Sequence, residues 1–236
     1  PKGFRDILPE LAKKRREVIN TISGVLEASG FVPVETPTIE FAETLKGKYG
    51  EEEKLIYEFT DRGDRKLALR YDLTVPLARF VASNLSLIAK EPFRRYQIGQ
   101  VFRGEKPQRG RWREFTQLDF DTVGLTDETD SSFKEDAKIV IVALRAAREI
   151  GFSKATMAIN DRGSFSDVPI DVVRAFDKLN KIGVDGVKRE ILKKYSEKEF
   201  EKFKTFFTLG RRSMLNKLFR YLKDEGLKEN KDFFFD

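Results

Sequence analysis

The 236-residue sequence contains neither cysteine nor histidine. These two absences exclude disulfide bonds, Ser-His-Asp and Cys-His nucleophilic catalysis, iron–sulfur clusters and the usual zinc sites. Any acid–base or electrostatic chemistry must therefore come from Asp, Glu, Lys, Arg, Tyr and the backbone. No apolar run approaches the roughly 20 residues of a membrane-spanning helix, and the N-terminus carries no basic-then-apolar signal pattern. We therefore expect a soluble, cytoplasmic protein.

Charge, in contrast, is abundant and slightly basic. Lys and Arg number 45 against 39 Asp and Glu, which gives a net charge of +6. Hydrophobic residues make up 40 % of the chain, and 21 of them are Phe, so a packed core is expected. The net charge is compatible with a heavily charged surface and also with a polyanionic partner such as a nucleic acid or a nucleotide. Only the clustering of the charges can separate these interpretations.

The apolar pattern predicts an α+β fold in two parts. In the first part, helices are predicted at 9–29, 74–83 and 133–150, and strands at 31–37, 55–60, 66–70, 94–103, 113–123 and 154–160. Beyond it the spacing is helical, at 172–182, at 187–195, from a capping box at Ser196 and Glu199, and at 212–222. The three consecutive Phe at 233–235 are typical of a strand that pairs elsewhere. The predicted domains are 1–163 and 164–236.

Two local features of the first part carry further predictions. The stretch from Phe31 to Pro37 favours β structure but contains two prolines, so it must be an edge strand or an extended arm. Such an edge is equally typical of a subunit interface and of a simple sheet margin. The polar turn before Lys66 has Gly63 at the position expected to be tight.

Arginine is concentrated between Pro92 and Gly124, around a loop that joins two predicted strands. The basic residues of this segment are Arg94, Arg95, Arg103, Lys106, Arg109, Arg111 and Arg113. A planar guanidinium binds phosphate oxygens in a bidentate manner. We therefore predict a site where several of these side chains converge on phosphate groups.

The second strand of this segment alternates in polarity. Gln117, Asp119 and Asp121 are two residues apart and share one face, whereas Leu118 and Phe120 point to the other. The polar row is either the wall of a pocket or the solvated outer face of an antiparallel sheet. The neighbouring arginines favour the pocket.

These motifs resemble those of a known family. RRYQIG at 94–99, VFRGEKPQ at 101–108 and GRWREFTQ at 110–117 resemble motif 2 of the class II aminoacyl-tRNA synthetases, and within them the histidyl branch. Four other stretches agree in order: the N-terminal opening at 3–9, motif 1 at 30–37 with Glu40, the amino-acid-binding turn LRYDLTVP at 69–76, and NDR at 160–162. The resemblance spans almost the whole chain. It implies a catalytic core at 1–163, built as an antiparallel sheet flanked by helices. It also implies that 164–236 form a small all-helical insertion module, at whose end the chain begins to return to the core.

The resemblance also implies which residues bind the amino acid. Asp72, Leu73 and Thr74 match the turn that holds the substrate's α-amino group. Gln117 and Asp121 match the pair that binds histidine, and an acidic residue suits an imidazole because it accepts an N–H bond.

A second group of positions matches the nucleotide site of the family. Arg103 corresponds to the catalytic arginine that contacts the α-phosphate and the substrate carboxylate. Glu105 corresponds to the acid near the adenine, and Arg111 and Arg113 to residues that steady the ATP phosphates. The implied reaction is activation of L-histidine with ATP to histidyl-adenylate, followed by transfer to tRNA(His). Mg²⁺ is expected with ATP, with its ligands left open, and a homodimer through the stretch from Phe31 to Pro37 is expected.

Some family features are missing from the 236 residues. The family continues beyond this point with a segment that supplies an arginine and tyrosines, with motif 3 and with an anticodon-binding domain. The chain is therefore expected to be either a fragment or a natural short relative, with little or no activity alone. The alternative is the non-catalytic, histidine-sensing regulatory subunit of ATP phosphoribosyltransferase, which has no use for Glu105, Arg111 and Arg113. A general RNA-binding protein is a weaker alternative, since it leaves the acidic and amide positions unexplained.

Overall fold

The computed structural model of the chain describes residues 1–124, 130–161, 168–208 and 213–235. The chain folds into two compact units, Pro1–Lys154 and Ala155–Asp236. The functional domains 1–163 and 164–236 remain a prediction, because they concern roles rather than compactness. In the described part of the chain, no helix has both the length and the apolar character needed to span a bilayer.

The first unit is mixed in secondary structure, as predicted. Its helices are α1 (Pro9–Ala28), α2 (Ala42–Leu45), α3 (Thr74–Ala82) and α4 (Asp130–Glu149), with 3₁₀ turns at Gly50–Leu55 and Leu85–Ile88. Its strands are β1 (Val32–Pro33), β2 (Ile39–Phe41), β3 (Glu58–Thr60), β4 (Lys66–Leu69), β5 (Phe93–Phe102) and β6 (Glu114–Val123). Helix α1 begins with Pro9, whose missing N–H is harmless there, and ends before Gly30, whose φ of 84° reverses the chain.

The main sheet has the strand order β1-β5-β6. Strands β5 and β6 pair antiparallel over their whole length, from Phe93 opposite Val123 to Phe102 opposite Glu114. Strand β1 pairs parallel to β5 at the outside of the sheet, so the predicted proline-containing edge strand is confirmed.

One face of this sheet is covered by helices. Leu26 of α1 and Val142 of α4 pack with Phe31 and Tyr96 in a buried cluster. Leu118 and Phe120 pack against the same cluster, which confirms the predicted inward face of β6. The opposite face is left for the polar row.

A second, smaller sheet has the order β2-β4-β3, with antiparallel pairing throughout. The turn between β3 and β4 differs from the prediction in one respect. The left-handed residue of the turn is Asp64, with φ of 56°, and not Gly63, which was expected at the tight position. Asp tolerates this region, and the Asp61 carboxylate stabilises the turn by accepting hydrogen bonds from the amides of Gly63 and Arg65, both at 2.9 Å.

The described residues of the second unit form helices and one pair of strands. Its elements are β7 (Met157–Ile159), α5 (Ile170–Phe176), α6 (Leu179–Ile191), α7 (Glu197–Thr208), α8 (Ser213–Asp224) and β8 (Phe233–Phe235). Strand β8 forms over the run of Phe, as predicted, and pairs parallel to β7 of the same unit. Its helical core is formed by buried residues of α5, α6 and α7, among them Val172, Val187 and Phe200.

The helix boundaries of this unit are partly different from those predicted. The helix expected over 172–182 is broken after Phe176. Its predicted end at Gly183 agrees with the structure, because Gly183 has a non-helical backbone with φ of 67° and kinks α6 there. The capping box is confirmed, because the Glu199 carboxylate accepts from the Ser196 amide at 2.8 Å and the Glu199 amide donates to the Ser196 hydroxyl. Of the NDR motif, Arg162 lies outside the described residues.

Candidate functional site

The face of the main sheet that is turned away from α1 and α4 carries a row of polar residues from both long strands. Directly opposed residues of an antiparallel pair share a face, so the predicted row on β6 faces a matching row on β5. The three opposed pairs are Arg95 with Asp121, Gln97 with Asp119, and Gly99 with Gln117. We call these six residues the polar face.

Arg95 and Asp121 form a charged pair at one end of the polar face. Arg95 is completely buried, and its Nη2 lies 2.6 Å from Oδ2 of Asp121. The pKa of the Asp121 carboxyl is raised above its ordinary value. Burial is the largest cause, Arg95 opposes it, and the negative charge of Asp119 adds to it. The Asp121 side chain is 41 % exposed although its Oδ2 is buried. Its other oxygen therefore remains open on the polar face.

Asp119 is the hydrogen-bonding centre of the polar face. Its Oδ1 accepts from the Gln117 amide at 2.9 Å, and its Oδ2 accepts from the Thr74 hydroxyl at 3.4 Å. Two predicted binding residues are thus joined through a carboxylate that the sequence placed in the row without a separate role.

Gly99 leaves space that a buried arginine fills. A Cβ at this position would overlap Nη2 of Arg70. The Arg70 guanidinium donates to the main-chain oxygens of Gln100 at 2.7 Å and Thr36 at 2.8 Å. It therefore ties the segment after β1, the end of β4 and the middle of β5 together beneath the polar face.

The turn before α3 is held by Asp72. Its Oδ1 accepts from the amides of Thr74 and Val75, both at 3.1 Å, and so satisfies donors at the start of the helix. Leu73 is completely buried, so its side chain belongs to the core rather than to a ligand surface. Asp72 and Thr74 are thus fixed in place by the helix start, with Thr74 reaching the polar face.

Tyr49 is a site residue that the sequence reasoning did not find. Its hydroxyl donates to Asp72 Oδ1 at 3.0 Å, and its ring centroid lies 4.7 Å from that of Tyr71. Burial, followed by the charge of Asp72, raises the pKa of Tyr49. Tyr49 lies in a loop without apolar periodicity, so only the three-dimensional structure reveals the contact.

Arg103 connects the turn with the polar face. Its guanidinium lies 4.6 Å from the ring centroid of Tyr71 and 5.1 Å from that of Phe115. It donates to the Tyr71 main-chain oxygen at 3.2 Å and to Gln117 Oε1 at 3.4 Å. Tyr71 in turn donates to Glu52, and burial, with that hydrogen bond, raises its pKa to about 12. A planar cation is therefore fixed between two aromatic rings beside the row of carboxylates.

The loop between β5 and β6 brings the predicted nucleotide residues together. Arg111 forms an ion pair with Glu105 at 3.2 Å and remains largely exposed. Arg113 donates to the main-chain oxygens of Glu105 at 2.9 Å and Lys2 at 3.3 Å. The main chains of Arg103 and Arg113 are also hydrogen-bonded, at 2.9 Å. The loop is thus anchored both to the N-terminal segment and to the base of the polar face.

The predicted convergence of arginines is wrong for Arg94. This side chain forms a two-point ion pair with Glu135 of α4, on the helix-covered side of the sheet, and lowers the pKa of that carboxyl. Arg95 faces carboxylates instead of an open phosphate site. Lys106 and Arg109 are exposed on the loop. Alternation along β5 explains the difference, because adjacent residues point to opposite faces.

The described residues contain no group of three carboxylates that could hold a metal ion on its own.

Comparison with known proteins agrees with the family that the motifs resemble. A family model described as histidyl-tRNA synthetase matches residues 3–229. A histidine–tRNA ligase of Aeropyrum pernix is 48 % identical over 204 residues, which are 81 % of this chain and 45 % of the relative. One from Wolinella succinogenes is 42 % identical over 200 residues, 80 % of this chain and 44 % of the relative. The chain thus spans less than half the length of these curated relatives.

Solved structures share the fold. A histidyl-tRNA synthetase from Nostoc superposes with a TM-score of 0.84 at 26 % identity, covering all of this chain and 60 % of the other. A structure from Bacillus halodurans, described as an ATP phosphoribosyltransferase regulatory subunit/histidyl-tRNA synthetase, gives a TM-score of 0.79 at 23 % identity, covering all of this chain and 67 % of the other. The α+β fold is therefore that of the class II synthetases, as the motifs predict.

Proposed function

Because the chain belongs to the histidyl-tRNA synthetase family, we propose that it forms the part of a histidine–tRNA ligase that activates L-histidine with ATP. One observation carries the proposal. The positions predicted to bind the amino acid are joined to the predicted catalytic arginine by an unbroken chain of contacts, from Thr74 through Asp119 and Gln117 to Arg103.

The charges around this face fit a zwitterionic amino acid. Asp72 and Asp119, with the Thr74 hydroxyl between them, provide acceptors for an α-ammonium group. The Arg103 guanidinium provides donors for the α-carboxylate. Gln117 and the outward oxygen of Asp121 provide partners for the imidazole, whose N–H needs an acceptor.

Activation requires positioning and charge stabilisation more than a protein nucleophile. A carboxylate oxygen of histidine attacks the α-phosphorus of ATP, the bond to pyrophosphate breaks, and histidyl-adenylate forms. Arg103 is placed to hold the carboxylate and to stabilise charge on the α-phosphate during this step. Glu105 would contact the adenine, while Arg111 and Arg113 would steady the phosphates. Mg²⁺ would enter as part of the ATP complex, bound by phosphate oxygens and water.

The later steps and the assembly are also proposals. The histidyl group would pass from the adenylate to the 3′ end of tRNA(His), in the cytoplasm. The full activity would need segments that the matched relatives have and these 236 residues do not. Supplying them, in cis or in trans, should raise histidine-dependent pyrophosphate exchange from little or nothing to a measurable rate.

We also propose a homodimer through the stretch from Phe31 to Pro37. Phe31 is buried in the core of its own chain, whereas Val32 is 48 % exposed and Pro33 is exposed at the sheet edge. An exposed, proline-blunted edge is suited to a symmetric contact. Sedimentation at tens of micromolar should show a dimer, and a clean monomer would argue against this interface.

The decisive experiment for the amino-acid site is Asp121→Ala. The variant loses the open acceptor on the polar face, so histidine binding should weaken by at least about tenfold, the value of one charged hydrogen bond. ATP binding should change little. Calorimetric titration of both ligands measures this difference, and an equal loss for both would refute the assignment.

The histidine-sensing regulatory subunit is the second candidate, since it is named together with the synthetase in the description of the Bacillus halodurans structure. The linked Glu105, Arg111 and Arg113 favour the enzyme, because sensing alone needs no phosphate contacts. Histidine binding without any pyrophosphate exchange, even with the downstream segments supplied, would favour the sensor.

A further inference from the structure

A buried cation lies beneath the carboxylates of the polar face. Arg95 is completely buried and lies opposite Asp121, with its Nη2 2.6 Å from Oδ2. Its Nη1 donates to the main-chain oxygen of Asp119 at 3.5 Å. Burying a guanidinium is costly unless opposite charge compensates it, so the position of Arg95 is tied to that of Asp121.

The two carboxylates differ in how they are held. Asp119 is engaged at both oxygens, by Gln117 and Thr74. Asp121 is held at one oxygen by Arg95 and is open at the other. Two neighbouring carboxylates repel each other, and burial also disfavours the charged form of Asp121. Arg95 is the group that opposes both effects.

We propose that Arg95 is a positioning residue that keeps Asp121 ionised and fixed, and so makes the pocket select a side chain with an N–H donor over a ring of similar size without one. This inference rests on the proposed function, which places histidine on the polar face, and adds the group that fixes the acceptor. Since Arg95 is completely buried, it acts through Asp121 and does not itself contact the ligand.

A neighbouring residue provides a matched control. Arg94 is also an arginine of β5 paired with a carboxylate, but its partner is Glu135 on the helix-covered side. Arg94→Met should therefore lower stability without changing ligand preference. Arg95→Met should alter both.

The test uses two amino acids of similar shape. L-Histidine and β-(2-thienyl)-L-alanine both carry a five-membered ring, but the thienyl ring has no N–H. Calorimetric titration and displacement give the affinity ratio of the two ligands for the unaltered chain and for each variant. We expect Arg95→Met to weaken histidine binding by at least about tenfold, as expected when a charged hydrogen bond is lost, with little change for thienylalanine or ATP.

The conservative variant distinguishes positioning from a purely structural role. Arg95→Lys retains a cation beside Asp121, so part of the preference for histidine should return. Circular dichroism establishes which variants fold. If Arg95→Met does not fold, the affinity ratio of Arg95→Lys decides whether Arg95 positions Asp121. Equal weakening of both amino acids, or an unchanged ratio in the folded variant, would overturn the role of Arg95. If the unaltered chain binds no histidine, the proposed function itself fails, and this inference fails with it.

Discussion

Replacing Asp72 by alanine tests the most connected carboxylate of the site. The substitution removes the acceptor of two amide hydrogen bonds at the start of α3, which costs about 1 kcal/mol. It also leaves the Tyr49 hydroxyl without its acceptor, a further cost of about 1–3 kcal/mol for a buried group. Because Tyr49 is only partly buried, we expect a total loss of about 2–3 kcal/mol in the free energy of unfolding.

A double variant separates the two contributions. In Asp72→Ala/Tyr49→Phe no hydroxyl is left unpaired, so the double variant should be about 1 kcal/mol more stable than Asp72→Ala. Urea denaturation followed by the fluorescence of Trp112, the single tryptophan of the chain, reports on the first unit. The reasoning is refuted if Asp72→Ala costs less than about 1 kcal/mol, or if adding Tyr49→Phe recovers nothing. Histidine binding should be lost in both variants.

Three further substitutions test other parts of the site. Arg103→Lys loses the planar fork between the aromatic rings, so pyrophosphate exchange by the reconstituted protein should fall by about 10²–10³-fold, whereas Arg65→Lys, at an exposed turn, should have no effect. Burial and a hydrogen bond raise the pKa of Tyr71 from 10.0 to about 12 in the folded chain. The contribution of the neutral Tyr71 hydroxyl to stability is therefore complete below pH 10 and is lost as the pH rises through about 12. The stability difference between the unaltered chain and Tyr71→Phe, measured by urea denaturation, should therefore shrink as the pH rises from 10 through about 12. Gly99→Ala should displace the buried guanidinium beneath it and cost about 1–3 kcal/mol, while Gly24→Ala, in an open helical position, should stabilise in the same thermal or urea assay.

The long hairpin could be predicted from the sequence because its signals are local. The alternation of polar and apolar residues from Gln117 to Asp121 sets which side chains face the helices, and the paired strands place them accordingly. The proline-containing edge and the capping box at Ser196 are local in the same way. Each of these features depends on residues within a few positions of one another.

Features that depend on distant partners were not predictable in this way. Tyr49 and Asp72 are 23 residues apart, and no periodicity links them. Arg94 and Arg95 are adjacent on a predicted strand, so alternation places them on opposite faces, but no local signal names Glu135 as the partner of one and Asp121 as the partner of the other. The break after Phe176 was missed since the apolar spacing continues across it.

The alternation along β6 has an evolutionary consequence. Leu118 and Phe120 belong to the core, whereas the alternating residues Gln117, Asp119 and Asp121 line the polar face. Mutations of the two sets therefore act differently: those of Leu118 and Phe120 affect folding, those of Gln117 and Asp119 change what is recognised, and those of Asp121 affect both because it compensates buried Arg95. A gene encoding such a strand can drift toward a new ligand by single substitutions at Gln117 or Asp119 without first losing its fold.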